Sequence, residues 1–191
     1  MAEYQHLLAE LTSGEDGRAE AAVHSLARFG AKVLPSLQEL LASPDADLRW
    51  WATWALAEIK DPLVPELLAK ELHDPALLVR QCAALALRQQ PAAEAIPDLI
   101  FALQENDPTL AHLAAASLVA VGEKAVPALL EILEKGPQQA RLEAIRALAL
   151  IGDERSLQAL YAALDDESAL IEYWANEGLE RMGVGMTFFK P

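Results

Sequence analysis

The chain has 191 residues, of which 53% are hydrophobic, and its 15 basic and 29 acidic residues give a formal net charge of −14. This composition excludes a disordered chain and argues against nucleic acids and anionic membranes as partners. Charged residues and prolines interrupt every apolar run well before the roughly 18 residues of a membrane-spanning helix, and the first residues lack a basic signal-peptide start. The single cysteine, Cys82, cannot form an internal disulfide, so we expect a cytoplasmic protein.

In chain order, the first predicted element is a helical half-repeat within residues 1–14 that caps one end of an array. Repeats fill residues 15–183, and residues 184–191 form a tail whose Phe188 and Phe189 are expected to fold back over the last helix pair. The repeat is clearest in the segments 48–56, 79–87, 110–118 and 140–148, whose closing leucines are 31, 31 and 30 residues apart. A period of this length predicts stacked supersecondary units.

Each unit is predicted to contain two helices. A short segment with proline at its second position precedes the clear copies, at 34–37, 64–67, 96–99 and 126–129, and proline is tolerated in the first turn of a helix. The pairs Ser43-Pro44, Asp74-Pro75 and Asp107-Pro108 are predicted to start further helices, with the first residue as N-cap. The left-handed conformation that ends a helix suits Gly30, Gly122 and Gly152.

The succession of Asp-Pro, Val-Arg, Ala-Ala, Ala-Leu, Ile-Gly and Val-Pro dipeptides resembles the HEAT-like repeats of the phycobilisome-lyase type, over nearly the whole chain. The resemblance implies an all-α fold, an α-solenoid wound as a right-handed superhelix from about six helix pairs, in a single domain of residues 1–191. It leaves the function open, because the family includes chromophore lyases, chaperones and scaffolds.

Helical geometry separates the buried stripe of each repeat from a free face. At 100° per residue, the alanines and aliphatic residues of 48–59 form one stripe, whereas Trp50, Trp51 and Trp54 fall in another sector. In members of the resembled family this sector lines the concave surface, and exposed tryptophans are strong anchors for partners. The residues predicted to bind a partner there are Trp50, Trp51, Trp54, Gln81, Leu85, His112, Glu143, Arg146, Tyr173, Trp174, Glu177 and Arg181. The alternative is that the tryptophans pack between neighbouring helices.

Catalytic and metal chemistry finds little support in the residue pattern. The four histidines lie in separate repeats, which predicts no metal site and no cofactor. The His-Glu dipeptides with which the HEAT-like deoxyhypusine hydroxylases hold iron are missing from the lining positions. The HEAT-like alkylpurine DNA glycosylases also place tryptophans in a cleft, but theirs is basic and this chain is strongly acidic. We expect Cys82 to pack as a small apolar residue.

Two functional hypotheses follow. The main one is a non-enzymatic scaffold or adaptor that binds a protein or peptide on the concave, aromatic-lined face. The alternative is a bilin-lyase-like or chaperone-like protein that handles a tetrapyrrole, whose carboxylates would meet Arg146, Arg181 and His112.

Overall fold

The computed structural model describes residues 3–184, and every regular element among them is a helix. The α-helices in chain order are α1 Gln5–Leu11, α2 Asp16–Leu26, α3 Leu34–Leu41, α4 Ala46–Ala57, α5 Val64–Glu71, α6 Leu77–Gln89, α7 Ile96–Leu103, α8 Pro108–Val121, α9 Val126–Lys135, α10 Gln138–Ile151, α11 Leu157–Ala162 and α12 Ala169–Arg181. Short 3-10 turns occur at Ala27–Val33, Ala93–Ala95, Gly122–Ala125, Glu154–Ser156 and Ala163–Asp165. The predicted all-α, α-solenoid fold of about six helix pairs is confirmed; the Phe188-Phe189 tail lies outside the described residues.

The helices group into two compact units, residues up to 98 and residues from 99 onward. In the first unit, α2, α4 and α6 lie side by side, with α1, α3 and α5 packed against them. In the second, α8, α10 and α12 lie side by side, with α9 and α11 packed against them. The single domain of residues 1–191, with its capping half-repeat and tail, stays a prediction.

Repeated apolar positions form the core of each unit. The closing leucines of the repeat, Leu56, Leu87, Leu118 and Leu148, are all fully buried. Burying a leucine side chain contributes about 1.5–3 kcal/mol relative to leaving it exposed. The alanines four residues earlier, at 52, 83, 114 and 144, are fully buried as well, and their small size lets neighbouring helices approach closely.

Several predicted helix starts are confirmed. Pro35, Pro65 and Pro127 lie in the first turns of α3, α5 and α9, where a missing N–H leaves no hydrogen bond unmade. Asp107 caps α8, since its carboxylate accepts a hydrogen bond from the Leu110 N–H at 2.7 Å.

Two predicted helix starts are wrong. Helix α6 begins at Leu77 rather than at Pro75, because the Asp74 carboxylate turns toward Arg49 and accepts the Ala76 N–H at 2.7 Å in a local turn. Helix α4 begins at Ala46 rather than at Pro44, and Asp45 rather than Ser43 is its N-cap. An Asx or Ser turn thus precedes each of these helices where the sequence suggested a cap.

The predicted helix-ending glycines all have positive φ. Gly152 ends α10 in the left-handed region, with φ of 67° and ψ of 33°. Gly122 follows α8 with φ of 77° and ψ of −141°, and Gly30 has a similar conformation inside its 3-10 turn. Such angles strain any residue with a Cβ.

By length and hydropathy, the segment Pro108–Lys135 could cross a membrane. Gly122 divides this segment into α8 and α9, however, and both helices pack against α10.

An arginine–aspartate pair links successive repeats. Arg49 of α4 donates two hydrogen bonds to the Asp74 carboxylate, at 2.6 and 2.9 Å, and both side chains are buried. Arg141 of α10 donates one hydrogen bond to Asp166, again 25 residues further on, in a partly buried pair. Each pair therefore joins an arginine in one repeat to the loop that precedes the corresponding helix of the next.

We expect Glu71→Gln to stabilise the protein at alkaline pH. Burial, followed by the nearby Asp74 charge, raises the pKa of Glu71 from 4.5 to about 7, and Arg49 opposes this shift. A carboxyl whose pKa is higher when folded costs stability as the pH rises from 4.5 to 7, and the cost is complete above 7. After allowance for its partial exposure, the substitution should raise the free energy of unfolding by about 1–2 kcal/mol at pH 8.

Urea unfolding at two pH values tests this expectation. At pH 4.5 the protonated glutamate resembles glutamine, so the variant and the wild type should unfold alike. Glu66→Gln on the same helix is the matched control, because Glu66 is exposed and pairs with Lys70. A gain of similar size at both pH values would show that the cause is not ionisation of Glu71.

Candidate functional site

Helix α4 carries a cluster of three tryptophans, called here the tryptophan cluster: Trp50, Trp51 and Trp54. Trp51 and Trp54 stack with ring centroids 5.4 Å apart and an interplanar angle of 14°. Trp50 meets both rings edge-on, at 4.8 and 5.3 Å. The His24 ring of α2 lies edge-on to Trp54 at 6.2 Å, so the cluster also packs on the neighbouring helix.

Both sequence hypotheses for these tryptophans describe part of their environment. Each of the three is half-buried, because the rings cover one another as well as facing solvent. On α6 of the same unit, Gln81 is half-buried and Leu85 is exposed. Binding of a partner by these residues stays a prediction.

An open groove of about 850 Å³ runs along the N-terminal ends of α2, α4 and α6, and we call it the tryptophan groove. Its lining residues are Leu11, Thr12, Gly14, Asp16, Asp45, Ala46, Asp47, Leu48, Trp50, Trp51, Ala76, Leu77, Leu78 and Val79. Sequence reasoning missed this groove except for its two tryptophans. The sequence feature that could have indicated the groove is Leu78, an apolar residue on a helix sector that the repeat leaves unburied.

In the second unit a cluster of different chemistry, the arginine cluster, forms from α8, α10 and α12. It consists of His112, Glu143, Arg146, Tyr173 and Trp174. The Arg146 guanidinium carbon lies 5.8 Å from the centre of the Trp174 ring, within range of a cation–π interaction. Tyr173 meets Trp174 edge-on, with centroids 5.4 Å apart.

Arg146 is held by its polar neighbours. One guanidinium nitrogen lies 2.6 Å from Nδ1 of His112 and 3.2 Å from a carboxylate oxygen of Glu143. The second nitrogen lies 3.1 Å from Nε2 of the same imidazole. Arginine only donates and a neutral imidazole has one accepting nitrogen, so we assign the hydrogen bond to the shorter contact. The Glu143 side chain is only 13% exposed, which places a shielded negative charge beneath the guanidinium.

The remaining predicted residues of α12 form a separate ion pair. The Nε atom of Arg181 lies 3.1 Å from a carboxylate oxygen of Glu177, one turn apart on the helix. Such exposed pairs add little stability. The structure thus brings four of the predicted residues together around Arg146 and places Glu177 and Arg181 further along α12.

The environment of Cys82 argues against a nucleophilic role. The side chain is half-buried, and burial raises the pKa of its thiol to about 12. The thiolate is the reactive form, so at neutral pH this cysteine is almost entirely the unreactive thiol. Within residues 3–184, no group of three His, Cys, Asp or Glu side chains is close enough together to hold a metal ion.

Comparison with known proteins shows which family and which relatives this chain resembles. A family model of HEAT repeats matches residues 4–88, 64–141 and 126–184. A phycocyanobilin lyase subunit beta from Nostoc sp. strain PCC 7120 is 41% identical over 106 residues, which cover 55% of this chain and 52% of that protein. The bilin biosynthesis protein RpcF of Synechococcus sp. strain WH8020 is 43% identical over 76 residues, 40% of this chain and 36% of that protein. The chain thus spans about half, or less, of the length of these relatives.

Solved structures agree on the fold. The complex of CpcE and CpcF of phycocyanin lyase from Nostoc sp. PCC7120 includes a chain that superposes with a TM-score of 0.60 at 21% identity, over 75% of this chain and 96% of that one. A designed armadillo repeat protein in complex with the peptide (KR)4 gives a TM-score of 0.56 at 18% identity, covering 95% of this chain and 100% of that one.

These findings correct the main functional hypothesis and establish the family. The prediction of a non-enzymatic scaffold is wrong, because the curated relatives are named as bilin lyase subunits and bilin biosynthesis proteins. The repeat pattern could not show this, since it records how helices pack and says little about the ligand on their free face. The predicted HEAT-like resemblance is confirmed: this chain belongs to the family of HEAT-repeat proteins.

Proposed function

We propose that this chain is a bilin-lyase-like subunit that binds an open-chain tetrapyrrole at the arginine cluster. The observation that supports it most directly is the Arg146 guanidinium, fixed over the Trp174 ring in a chain whose relatives are phycocyanobilin lyase subunits. A tetrapyrrole combines flat conjugated rings with carboxylate side chains. The cluster offers a partner for each of these two features.

The carboxylates of the ligand would meet arginine. Arginine binds carboxylates through two parallel N–H donors, which is stronger and more specific than a single charged contact. The Arg146 side chain is only 20% exposed, so water screens its charge less than that of a fully solvated arginine. Glu143 and His112 fix its position before the ligand arrives, which lowers the entropic cost of binding.

The conjugated rings of the ligand would lie on the aromatic side chains. Tyr173 is 57% exposed, and Trp174 beside it is half-buried. Offset or edge-on contact between aromatic rings stabilises a complex in addition to the apolar area that the rings bury. Arg181, on the same helix, would supply a second cation for the other end of an elongated ligand.

The proposal includes a protein partner. The named relatives are subunits, and the lyase of similar fold is a complex of CpcE with CpcF. We infer that this chain likewise acts beside a second protein in the cytoplasm, and that the thiol which receives the bilin belongs to an acceptor protein rather than to Cys82. Its own contribution would be to hold and orient the chromophore.

We expect Arg146→Ala to weaken binding of phycocyanobilin about 10- to 100-fold, the effect of removing a hydrogen-bonded charged group. The measurement is a titration of free phycocyanobilin with the purified chain, followed by visible absorbance. Arg146→Lys should retain part of the affinity, since lysine keeps the charge but loses the two-pronged geometry. Arg88→Ala is the matched control, because Arg88 is an exposed arginine in the other unit.

Two results would contradict the proposal. One is an absorbance spectrum that stays unchanged up to high protein concentration. The other is an Arg146→Ala variant that binds the bilin as tightly as the Arg88→Ala control does. Circular dichroism of each variant checks that its helices remain folded.

A further inference from the structure

The tryptophan groove has a charge opposite to that of the arginine cluster. Its lining includes the carboxylates of Asp16, Asp45 and Asp47 and not one lysine or arginine among the residues described. Acidic residues are common in the first turn of helices, and Asp45 is accounted for in this way, since it accepts the Asp47 N–H at 2.9 Å. Within residues 3–184, neither Asp16 nor Asp47 has an ion-pair partner.

Two arginines of the helices that form the groove, Arg49 and Arg80, donate hydrogen bonds within the protein. Arg49 donates to Asp74 and to the carbonyl oxygens of Ser43 and Pro44. Arg80 donates to the carbonyl oxygen of Asp74 at 2.7 Å. The groove therefore presents negative charge, which would repel the carboxylates of a bilin and attract a cation.

The rest of the lining is apolar and partly exposed. Leu78 is 67% exposed, the largest exposed fraction among the large hydrophobic residues of the described chain. Beside it lie Leu48, Leu77 and the half-buried rings of Trp50 and Trp51. A volume of about 850 Å³ is within the usual range of ligand-binding clefts.

We propose that the tryptophan groove docks a segment of a partner protein in which an arginine stands next to a large apolar side chain. The guanidinium would lie against the indole rings of Trp50 and Trp51, with its charge near the Asp47 carboxylate. A planar guanidinium suits this position better than an ammonium group, because it stacks on aromatic faces and is less strongly hydrated. The apolar side chain would cover Leu77 and Leu78.

This inference rests on the proposed function in one respect: the groove would give a bilin-handling protein a contact with its partner protein. The chemistry of the groove does not depend on the bilin. The two sites would select different partners, since one offers cations to carboxylates and the other offers carboxylates and indole rings to a cation.

Three fluorescein-labelled twelve-residue peptides test the proposal, with leucine alternating with arginine, with lysine or with glutamate. Fluorescence anisotropy with the purified chain should give the tightest binding for the arginine peptide, weaker binding for the lysine peptide and none for the glutamate peptide. Asp47→Lys and Leu78→Ser should each weaken binding of the arginine peptide about tenfold. Both positions are on the surface, so the variants should fold normally.

The control for general attraction to an acidic protein is Glu94→Lys. It makes the same change in net charge as Asp47→Lys, at an exposed position in the Ala93–Ala95 turn that does not line the groove. Equal losses in the two lysine variants would overturn the proposal, because the peptide would then recognise only net charge. Binding of the glutamate peptide as tightly as the arginine peptide would overturn it too.

Titration of the same variants with phycocyanobilin separates this inference from the proposed function. We expect Asp47→Lys and Leu78→Ser to bind the bilin as the wild type does. A bilin that fails to bind the wild type, while the arginine peptide binds the groove, would overturn the proposed function alone. Loss of bilin binding in Leu78→Ser without any effect on the peptide would assign the groove to the bilin and overturn the inference made here.

Discussion

Replacing Arg49 with alanine is expected to lower the free energy of unfolding by about 3–5 kcal/mol, the cost of leaving a buried charge without its partner. Arg49 and Asp74 are 11% and 4% exposed in their side chains, and two hydrogen bonds join them. Burial by itself would raise the pKa of Asp74, but the hydrogen bonds from Arg49 and from the Ala76 N–H outweigh it and lower the pKa overall. Asp74 therefore stays ionised at neutral pH, and in the variant its charge remains buried.

The lowered pKa of Asp74 also determines how the loss of stability in Arg49→Ala depends on pH. A carboxyl whose pKa is lowered by folding stabilises the protein above its ordinary pKa, and that contribution disappears as the pH falls through the lowered value. The difference between wild type and Arg49→Ala should therefore be greatest near neutral pH and should shrink in acid. Urea unfolding followed by circular dichroism at several pH values measures it.

Two further arginines bracket the expected effect. Arg18 pairs with Glu10 and Glu15 on the surface, so Arg18→Ala should cost far less stability than Arg49→Ala. Arg141 pairs with Asp166 in a partly buried site, so Arg141→Ala should fall between the other two. An Arg49→Ala variant no less stable than Arg18→Ala would show that the pair contributes nothing beyond an exposed ion pair.

The helices were predictable because their signals are local and repeated. The spacing of about 31 residues, the prolines at 35, 65 and 127 and the closing leucines all specify positions that the structure confirms. Asp74 shows where such reasoning stops. Its neighbour Pro75 made it resemble an N-cap, but a carboxylate turns toward the strongest donor within reach, and that donor is Arg49, 25 residues away. A local pattern carries no information about a partner so distant in the sequence.

The candidate sites were predictable only in part, for a related reason. Helical periodicity correctly separated the tryptophans from the core stripe, but it could not show that three large rings on one face would bury one another. The residues around Arg146 come from three helices and share no motif, so only their common position in the repeat connected them. The choice between a scaffold and a bilin-handling protein depends on these few side chains, whereas the repeat consensus mostly reflects packing.

A valine at position 178 is expected to disturb both stability and the arginine cluster, because Gly178 of α12 packs closely against Ala149 of α10. A Cβ atom at this position would lie 2.9 Å from the Cβ of Ala149 and 3.2 Å from a methyl carbon of Leu160, so the helices would have to move apart. Overpacking of this kind lowers the free energy of unfolding by about 1–3 kcal/mol. Trp174 lies one turn before Gly178 on the same face, so a shifted α12 would also carry its ring away from Arg146.

Gly178→Ala separates crowding from helix propensity. Alanine is favoured over glycine inside a helix by about 1 kcal/mol, which offsets part of the cost of placing its Cβ against Ala149, so this variant should be less stable than the wild type but more stable than Gly178→Val. Thermal unfolding ranks the three proteins, and titration with phycocyanobilin shows whether Gly178→Val weakens binding as Arg146→Ala does. A valine variant that unfolds like the alanine variant would mean that the two extra methyl groups of valine add no crowding beyond that of the Cβ atom. A destabilised valine variant that still binds the bilin at full affinity would mean that the position of Trp174 is not critical to the proposed site.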